Sequence, residues 1–219
     1  PELAEPAVLA AAVDKLSSTV TLPLVVDSSD PVAVEAAVRG YAGKPLINSV
    51  NGKRESLEAV LPIVKRYGCA VIGLALDEEG IPPTAEGRFA VAERIVEAAE
   101  RYGIPRTDVV IDCLTMACAT NQSEALEILR AVTMVKERLG VRTALGVSNI
   151  SFGLPQRNMV NSTFLAAAFG CGLDMPILNP KAKRYTDTVN TFRVLNCQDA
   201  GAVGFIGEYA DAADPYTAG

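Results

Sequence analysis

One short polar run supplies the first candidate chemistry. Gly146-Val147-Ser148-Asn149-Ile150-Ser151-Phe152-Gly153-Leu154-Pro155-Gln156-Arg157 gathers the Asn149 amide, two hydroxyls and a guanidinium just after an apolar stretch that begins at Ala144. An amide both donates and accepts hydrogen bonds, and a guanidinium only donates, in a planar fork. Other apolar stretches end in a similar way, at Asp27, Asn48, Asp77, Asp112 and Asn179. A carboxylate accepts two parallel hydrogen bonds, so it suits the edge of a flat heterocycle that carries an amino group beside a ring N–H; a neighbouring amide suits the adjoining edge. The local alternative is that short acids and amides at strand ends cap the next helix or make turns. Asp77, followed by Glu78-Glu79, reads as a solvated turn, and Asn179-Pro180 as a turn rather than a ligand. Histidine is absent, which removes Ser-His-Asp and Cys-His nucleophilic schemes and His-ligated metals. The oxygen-bearing residues lie on separate strands with no calcium-loop pattern, so no metal site is expected.

Such side chains need a scaffold that brings strand ends to one place. Apolar spacing predicts helices over 5–16, 32–41, 57–67, 124–139, 159–169 and 185–195, a long one from about Thr84 to Tyr102, and a weaker pattern after Asp199. Asp30 with Pro31, Ser56 and Ser123 are candidate starts, and Gly68, Gly103, Gly140 and Gly170 candidate stops. Between the helices lie short apolar runs at 23–26, 45–47, 70–76, 109–111, from 144 onward, and 175–178. Residues 211–219 read as a loose tail.

Strands apolar on both faces, alternating with helices, call for a parallel sheet covered by helices. No Gly-rich phosphate turn follows any strand, which disfavours an open nucleotide-binding sheet. A (β/α)8 TIM barrel fits better, and it would direct the strand ends into one mouth. The count is six strands rather than eight, and the first helix has no strand before it. The chain therefore reads as a single α/β domain over 1–219 holding strands three to eight of such a barrel, without the first two.

Composition narrows the partners. The chain has 219 residues, 49% of them hydrophobic, and a formal net charge of −6, which argues against general attraction to nucleic acid or anionic lipid. No apolar run approaches the roughly 18 residues of a membrane span, and Pro1-Glu2-Leu3-Ala4-Glu5-Pro6 does not open like a signal peptide. Cys69, Cys113, Cys118, Cys171 and Cys197 form no Cys-x-x-Cys pair, and their odd number suits a reduced, cytoplasmic protein. Cys69 reads as a buried structural thiol.

Asp27, Asn48 and Asp112 together have the acceptors and donors to read the 2-amino-4-oxo edge of a pterin. The pieces PLVVDSSDP, KPLINSVNG, VVIDCL and above all TALGVSNISFGLPQRNMVNSTFLAAAFGCGLDMPILNP resemble the pterin-binding methyltransferases. That family includes the folate domain of cobalamin-dependent methionine synthase and the methyltransferase serving the corrinoid iron–sulfur protein. The resemblance runs from about Pro1 to Pro180, and GVSNISFGLPQRN is its most specific part. It implies a (β/α)8 barrel that binds 5-methyltetrahydrofolate at its carboxyl mouth. It implies that Asp27, Asn48 and Asp112 hold the pterin, with Gly146, Ser148 and Arg157 nearby and Ile177 an apolar wall. It implies that Asn149 meets the methyl-bearing ring nitrogen. Phe152 stands where the corrinoid-protein methyltransferases tend to carry glutamine.

The implied reaction moves a methyl group from a tertiary amine, a poor leaving group unless its nitrogen is protonated or strongly hydrogen-bonded as charge develops. Asn149 is no acid, but its amide can stabilise the protonated nitrogen. The acceptor would be the reduced cobalt of a corrinoid, or cobalamin, on a partner domain or protein. Two other readings compete. A dihydropteroate synthase would be expected to carry a lysine where Ser148-Asn149 stands and an Arg-x-His at the last strand, which here reads Pro176-Ile177-Leu178-Asn179. A folate-binding module without turnover, or an inert fragment of a larger modular protein, is the other; without its leading strands such a chain could exchange segments in a homodimer.

Overall fold

A computed structural model describes residues 4–212. Its strands are β1 (Val25–Asp27), β2 (Leu46–Asn51), β3 (Ala70–Leu74), β4 (Val109–Asp112), β5 (Arg142–Gly146) and β6 (Met175–Ile177). They form one six-stranded sheet in the order β1-β2-β3-β4-β5-β6, and every neighbouring pair is parallel. The helices are α1 (Glu5–Ser17), α2 (Pro31–Arg39), α3 (Arg54–Tyr67), α4 (Ala85–Arg101), α5 (Ser123–Met134), α6 (Arg157–Gly170), α7 (Lys183–Leu195) and α8 (Val203–Tyr209). This is a curled part of a (β/α)8 barrel. The open edges of the sheet are β1 and β6.

Strand residues alternate between the two faces, and each face has its own cluster. Val26, Ile47, Val71, Ile111 and Leu145 face the helices and belong to the large core that also takes Val34, Leu61, Ile95, Ile128 and Leu165. Burying such a side chain contributes about 1.5–3 kcal/mol, so this layer holds the helices on. The concave face carries a smaller cluster, Ile72, Val110 and Ala144, with Leu46, Leu74 and Met175 partly buried against it. Gly73 keeps the sheet close to α4, since a Cβ there would lie 2.7 Å from Ile95 Cγ2.

Several element ends follow from local chemistry. Asp30 caps α2 by accepting from the Val32 N–H at 2.9 Å, with Pro31 opening the helix. Thr84 caps α4 by accepting from Gly87 N–H. Gly68 at φ 64 and Gly140 at φ 66 end α3 and the extension of α5. That extension, Val135–Leu139, is a π-helical turn. Three expectations need correcting. Ser56 does not cap α3: the helix begins at Arg54, and the Ser56 hydroxyl accepts from the Asn51 N–H at 3.1 Å to close the β2–α3 turn. β2 continues past Asn48 to Asn51, through a bulge between Asn48 and Val50. α6 begins at Arg157 and takes in Gly170, and the left-handed glycine beyond it is Gly172, at φ 98. Residues 213–219 of the expected tail lie outside the described residues. No helix among the described residues is long and apolar enough to cross a membrane.

Candidate functional site

Strand register puts the polar residues at the carboxyl ends on one concave rim. Asp27 stands opposite Asn48, Asp112 lies between Leu74 and Ala144, and Gly146 lies opposite Ile177. Below this rim is a hollow of about 430 Å³ whose lining includes Asp27, Asn48, Ile72, Ala144, Met175 and Ile177. Val25 (53% exposed) and Ile177 (47%) are apolar side chains on the two edge strands that face this hollow in the open. The mouth therefore offers apolar walls with polar groups around the top, the usual makeup of a small-molecule site.

The first polar group is a pair. Asn48 Nδ2 donates to Asp27 Oδ2 at 3.1 Å. Because a carboxylate only accepts, the pair fixes which end of the Asn48 amide is the nitrogen. The Asn48 carbonyl oxygen and the second Asp27 oxygen then remain for a ligand. The bulge after Asn48 falls where such irregularities commonly re-aim a site side chain.

Asp112 is different, at 7% exposure. One oxygen accepts from the Leu114 N–H at 2.7 Å. Burial pushes its carboxyl up to about 6, against the opposing pull of that N–H and of the Arg88 guanidinium. A carboxylate buried beside Leu74 and Ala144 with capacity to accept more hydrogen bonds is suited to a ligand that brings N–H donors. Next to it, burial raises the Cys113 thiol well above its usual range, and Cys69, fully buried as expected, is pushed up to about 11. All five cysteines are unpaired.

After β5 the chain makes a 3-10 turn, Val147–Ser151, that carries the half-buried Ser148 and Asn149. The Asn149 amide packs over Gly146: a Cβ built there would lie 3.2 Å from Asn149 Nδ2. Of the expected site residues, Asp27, Asn48 and Ile177 line the hollow, whereas Asp112, Gly146, Ser148, Asn149 and Arg157 do not. Arg157 Nε donates to Ser151 Oγ at 2.9 Å and its Nη2 to the Ser148 carbonyl at 3.0 Å, and its guanidinium stacks on the exposed Phe152 ring at 4.6 Å. Arg157 thus braces the turn on both sides of Asn149. Ser148 takes part through its carbonyl, which also accepts from Ser151 Oγ at 3.2 Å. Cys118 ties the β4–α5 loop to the same turn, with its N–H 3.0 Å and its Sγ 3.1 Å from the Ile150 carbonyl.

Two strand-end residues are used elsewhere. Asp77 accepts from the Glu79 N–H at 3.1 Å and pairs with Arg94 at 3.5 Å, as a turn residue does. Asn179 accepts from the Lys181 N–H at 3.0 Å. One residue near the rim went unread in the sequence. Arg88 on α4 is fully buried and bonded to the loop after β4. The available signal was its phase, since Ala85, Val91, Ala92 and Ile95 on the same helix are buried core residues.

Residues 2–179 match the family model described as pterin binding enzyme. The chain is 35% identical over 178 residues to a methionine synthase of Mycobacterium leprae, covering 75% of this chain and 15% of that protein. It is 27% identical over 173 residues to a methylcorrinoid:tetrahydrofolate methyltransferase of Eubacterium limosum, covering 78% of this chain and 64% of that protein. The chain thus spans about 15% of the length of the methionine synthase. Among solved structures, a Yersinia pestis dihydropteroate synthase carrying a pterin–sulfa conjugate aligns at TM-score 0.69 with 16% identity, over 90% of this chain and 79% of that one. The dihydropteroate synthase of Xanthomonas albilineans with 7,8-dihydropteroate aligns at 0.68 with 22% identity, over 84% and 71%. At those identities the likeness is one of fold.

Proposed function

This chain belongs to the pterin binding enzyme family, and from that membership we propose that it binds 5-methyltetrahydrofolate at the concave rim and passes the methyl group to the reduced cobalt of a corrinoid on a partner domain or protein. The methyltransferase-type assignment follows the relatives matched in sequence. The observation that supports the finer reading is the Asn149 amide packed against Gly146 at the carboxyl end of β5, in the sheet whose other strands carry Asp27, Asn48 and Asp112 at or near their carboxyl ends.

The residues fit a reduced pterin. Asp112 would accept from the amino group and ring N–H of the pyrimidine edge. Asn48, oriented by Asp27, would meet the neighbouring edge with its carbonyl. Ile177 and Met175 would face the apolar side of the ring. Asn149 would lie against the nitrogen that carries the methyl group. An amide cannot give up a proton at neutral pH, so the proton reaches that nitrogen through water and the nearby carboxylates, and Asn149 stabilises the protonated form. A corrinoid held by the partner would supply the cobalt electron pair to which the methyl group is transferred, leaving the folate nitrogen with the proton. This chain supplies orientation, electrostatics and an open mouth.

The test is direct. Titrating the protein with 5-methyltetrahydrofolate should give saturable binding, and adding reduced cobalamin should convert the cobalt spectrum to the methylated form far faster than without protein. Binding with no acceleration would leave a folate-binding module. No binding would remove both readings. A dihydropteroate synthase activity is disfavoured by Ser148-Asn149 in the turn and by the absence of histidine.

Gly146 gives a second handle. In Gly146→Ala the new methyl would press the Asn149 amide from 3.2 Å. Displacing a positioned group by a fraction of an ångström costs on the order of tenfold in rate. We expect methyl transfer to fall by about that factor with folate affinity and thermal midpoint close to wild type. Single-turnover rates beside calorimetric titration check it, and an unchanged rate would detach Gly146 from the site.

A further inference from the structure

Arg88 heads the largest fully buried side chains, at 0% exposure. An unpaired guanidinium would not survive in such a place, and every arm of this one is paired. Nε donates to the Pro82 carbonyl at 2.9 Å. Nη1 donates to two successive carbonyls, Cys113 at 2.7 Å and Leu114 at 2.6 Å. Nη2 meets Glu124 Oε2 at 2.6 Å. Those two carbonyls bracket Leu114, which sits at φ 62, a left-handed conformation that a leucine rarely adopts. In that conformation the Leu114 N–H points back at Asp112 Oδ1, at 2.7 Å.

We propose that Arg88 is a positioning residue of the pterin site: by gripping the carbonyls of Cys113 and Leu114 it holds the Leu114 N–H on Asp112 and so aims the carboxylate at the ligand. The proposal rests on the assignment of Asp112 to the pterin. A lysine could not replace this arrangement, because a point charge lacks the planar fork that spans successive carbonyls and a carboxylate. The surroundings of Asp112 leave Arg88 as its electrostatic partner. β3 and β5 present Leu74 and Ala144 beside it. Cys113, the first residue after β4, is a thiol that burial keeps neutral. Glu124 of α5 stands on the far side of the guanidinium.

The test uses Arg88→Lys and Glu124→Gln in the whole chain. Each is titrated with 5-methyltetrahydrofolate from pH 5 to 8, with thermal unfolding in parallel. Arg88→Lys should weaken binding at pH 7 by about tenfold or more and raise the pH below which affinity falls, because the lysine charge cannot grip both carbonyls and Asp112 loses the fixed N–H. Glu124→Gln removes the negative charge behind Arg88 while leaving it an acceptor, so that pH should move down. A purely structural Arg88 would not produce opposite shifts. Variants that melt earlier but bind with wild-type affinity and an unmoved pH midpoint would overturn the proposal. If Arg88→Lys fails to fold, Glu124→Gln decides: a lowered midpoint supports the proposal and an unmoved one overturns it. Asp112→Asn is the separate control. Wild-type binding by that variant would overturn the pterin assignment of Asp112, and the proposal with it.

Discussion

Asn149→Ala is expected to slow methyl transfer by about 100-fold while changing folate affinity by less than about threefold. The two effects separate because of when the contact becomes strong. In the ground state the methyl-bearing nitrogen is a tertiary amine with little charge, and an amide beside it contributes modestly to binding. As the C–N bond breaks, the nitrogen must carry a proton or a strong hydrogen bond, and a pre-oriented dipole then contributes on the order of 3 kcal/mol. Preorganisation is what the fold adds here. The amide rests on Gly146, and the turn that carries it is clamped by Arg157 through Ser148 and Ser151. Alanine keeps the turn and removes only the dipole. Single-turnover transfer to reduced cobalamin, beside a binding isotherm, gives both quantities. Equal losses of rate and affinity would assign Asn149 to ground-state binding and end its proposed role.

Reading the chain from its residues went furthest where physics acts locally. Apolar runs of strand length alternating with amphipathic helices lead directly to parallel strands, and the six-stranded order follows the chain. Asp30 and the glycines at 68 and 140 act where capping chemistry put them. Misreadings arose where one residue type serves two purposes. Ser56 looked like a helix cap, yet its hydroxyl closes the preceding turn, because the helix starts earlier on Lys53 and Arg54. Asp77 and Asn179 end apolar runs as Asp27 does, but the turn role read for each is the one found: they bond to backbone N–H groups two residues on. Their own sequences carry the mark of this, an acidic cluster and a following proline. Arg157 was legible as a guanidinium near Asn149, but not as the brace of its turn, since its partners include a main-chain carbonyl. Arg88 lay hidden for the same reason: three of its four bonds go to carbonyls.

Asp112→Asn should lower pterin affinity by about 100-fold or more without lowering the thermal midpoint at pH 8. The loss comes from charge-assisted hydrogen bonds, each contributing about 1.5–3 kcal/mol. An asparagine can still accept one of them, but its NH2 then faces the second ligand donor. The unaltered stability follows from the carboxyl being pushed up from 3.8 to about 6. A group whose folded pKa lies above its unfolded value disfavours folding once it is ionised. Here that cost is absent below about pH 4, grows between pH 4 and 6, and is complete above, at roughly 3 kcal/mol. Asparagine removes it, and exchanges it for one amide N–H2 to satisfy, about 1–3 kcal/mol. The variant should therefore be as stable as wild type or more so at pH 8, with its relative advantage shrinking as pH falls from 6 to 4. Wild-type pterin affinity should in turn decline below pH 6, where Asp112 takes up a proton and loses an acceptor. Thermal unfolding of both proteins from pH 4 to 8, with titrations at each step, tests the pair of claims. A variant that melts earlier at pH 8 while binding pterin normally would show that Asp112 serves the fold and not the ligand.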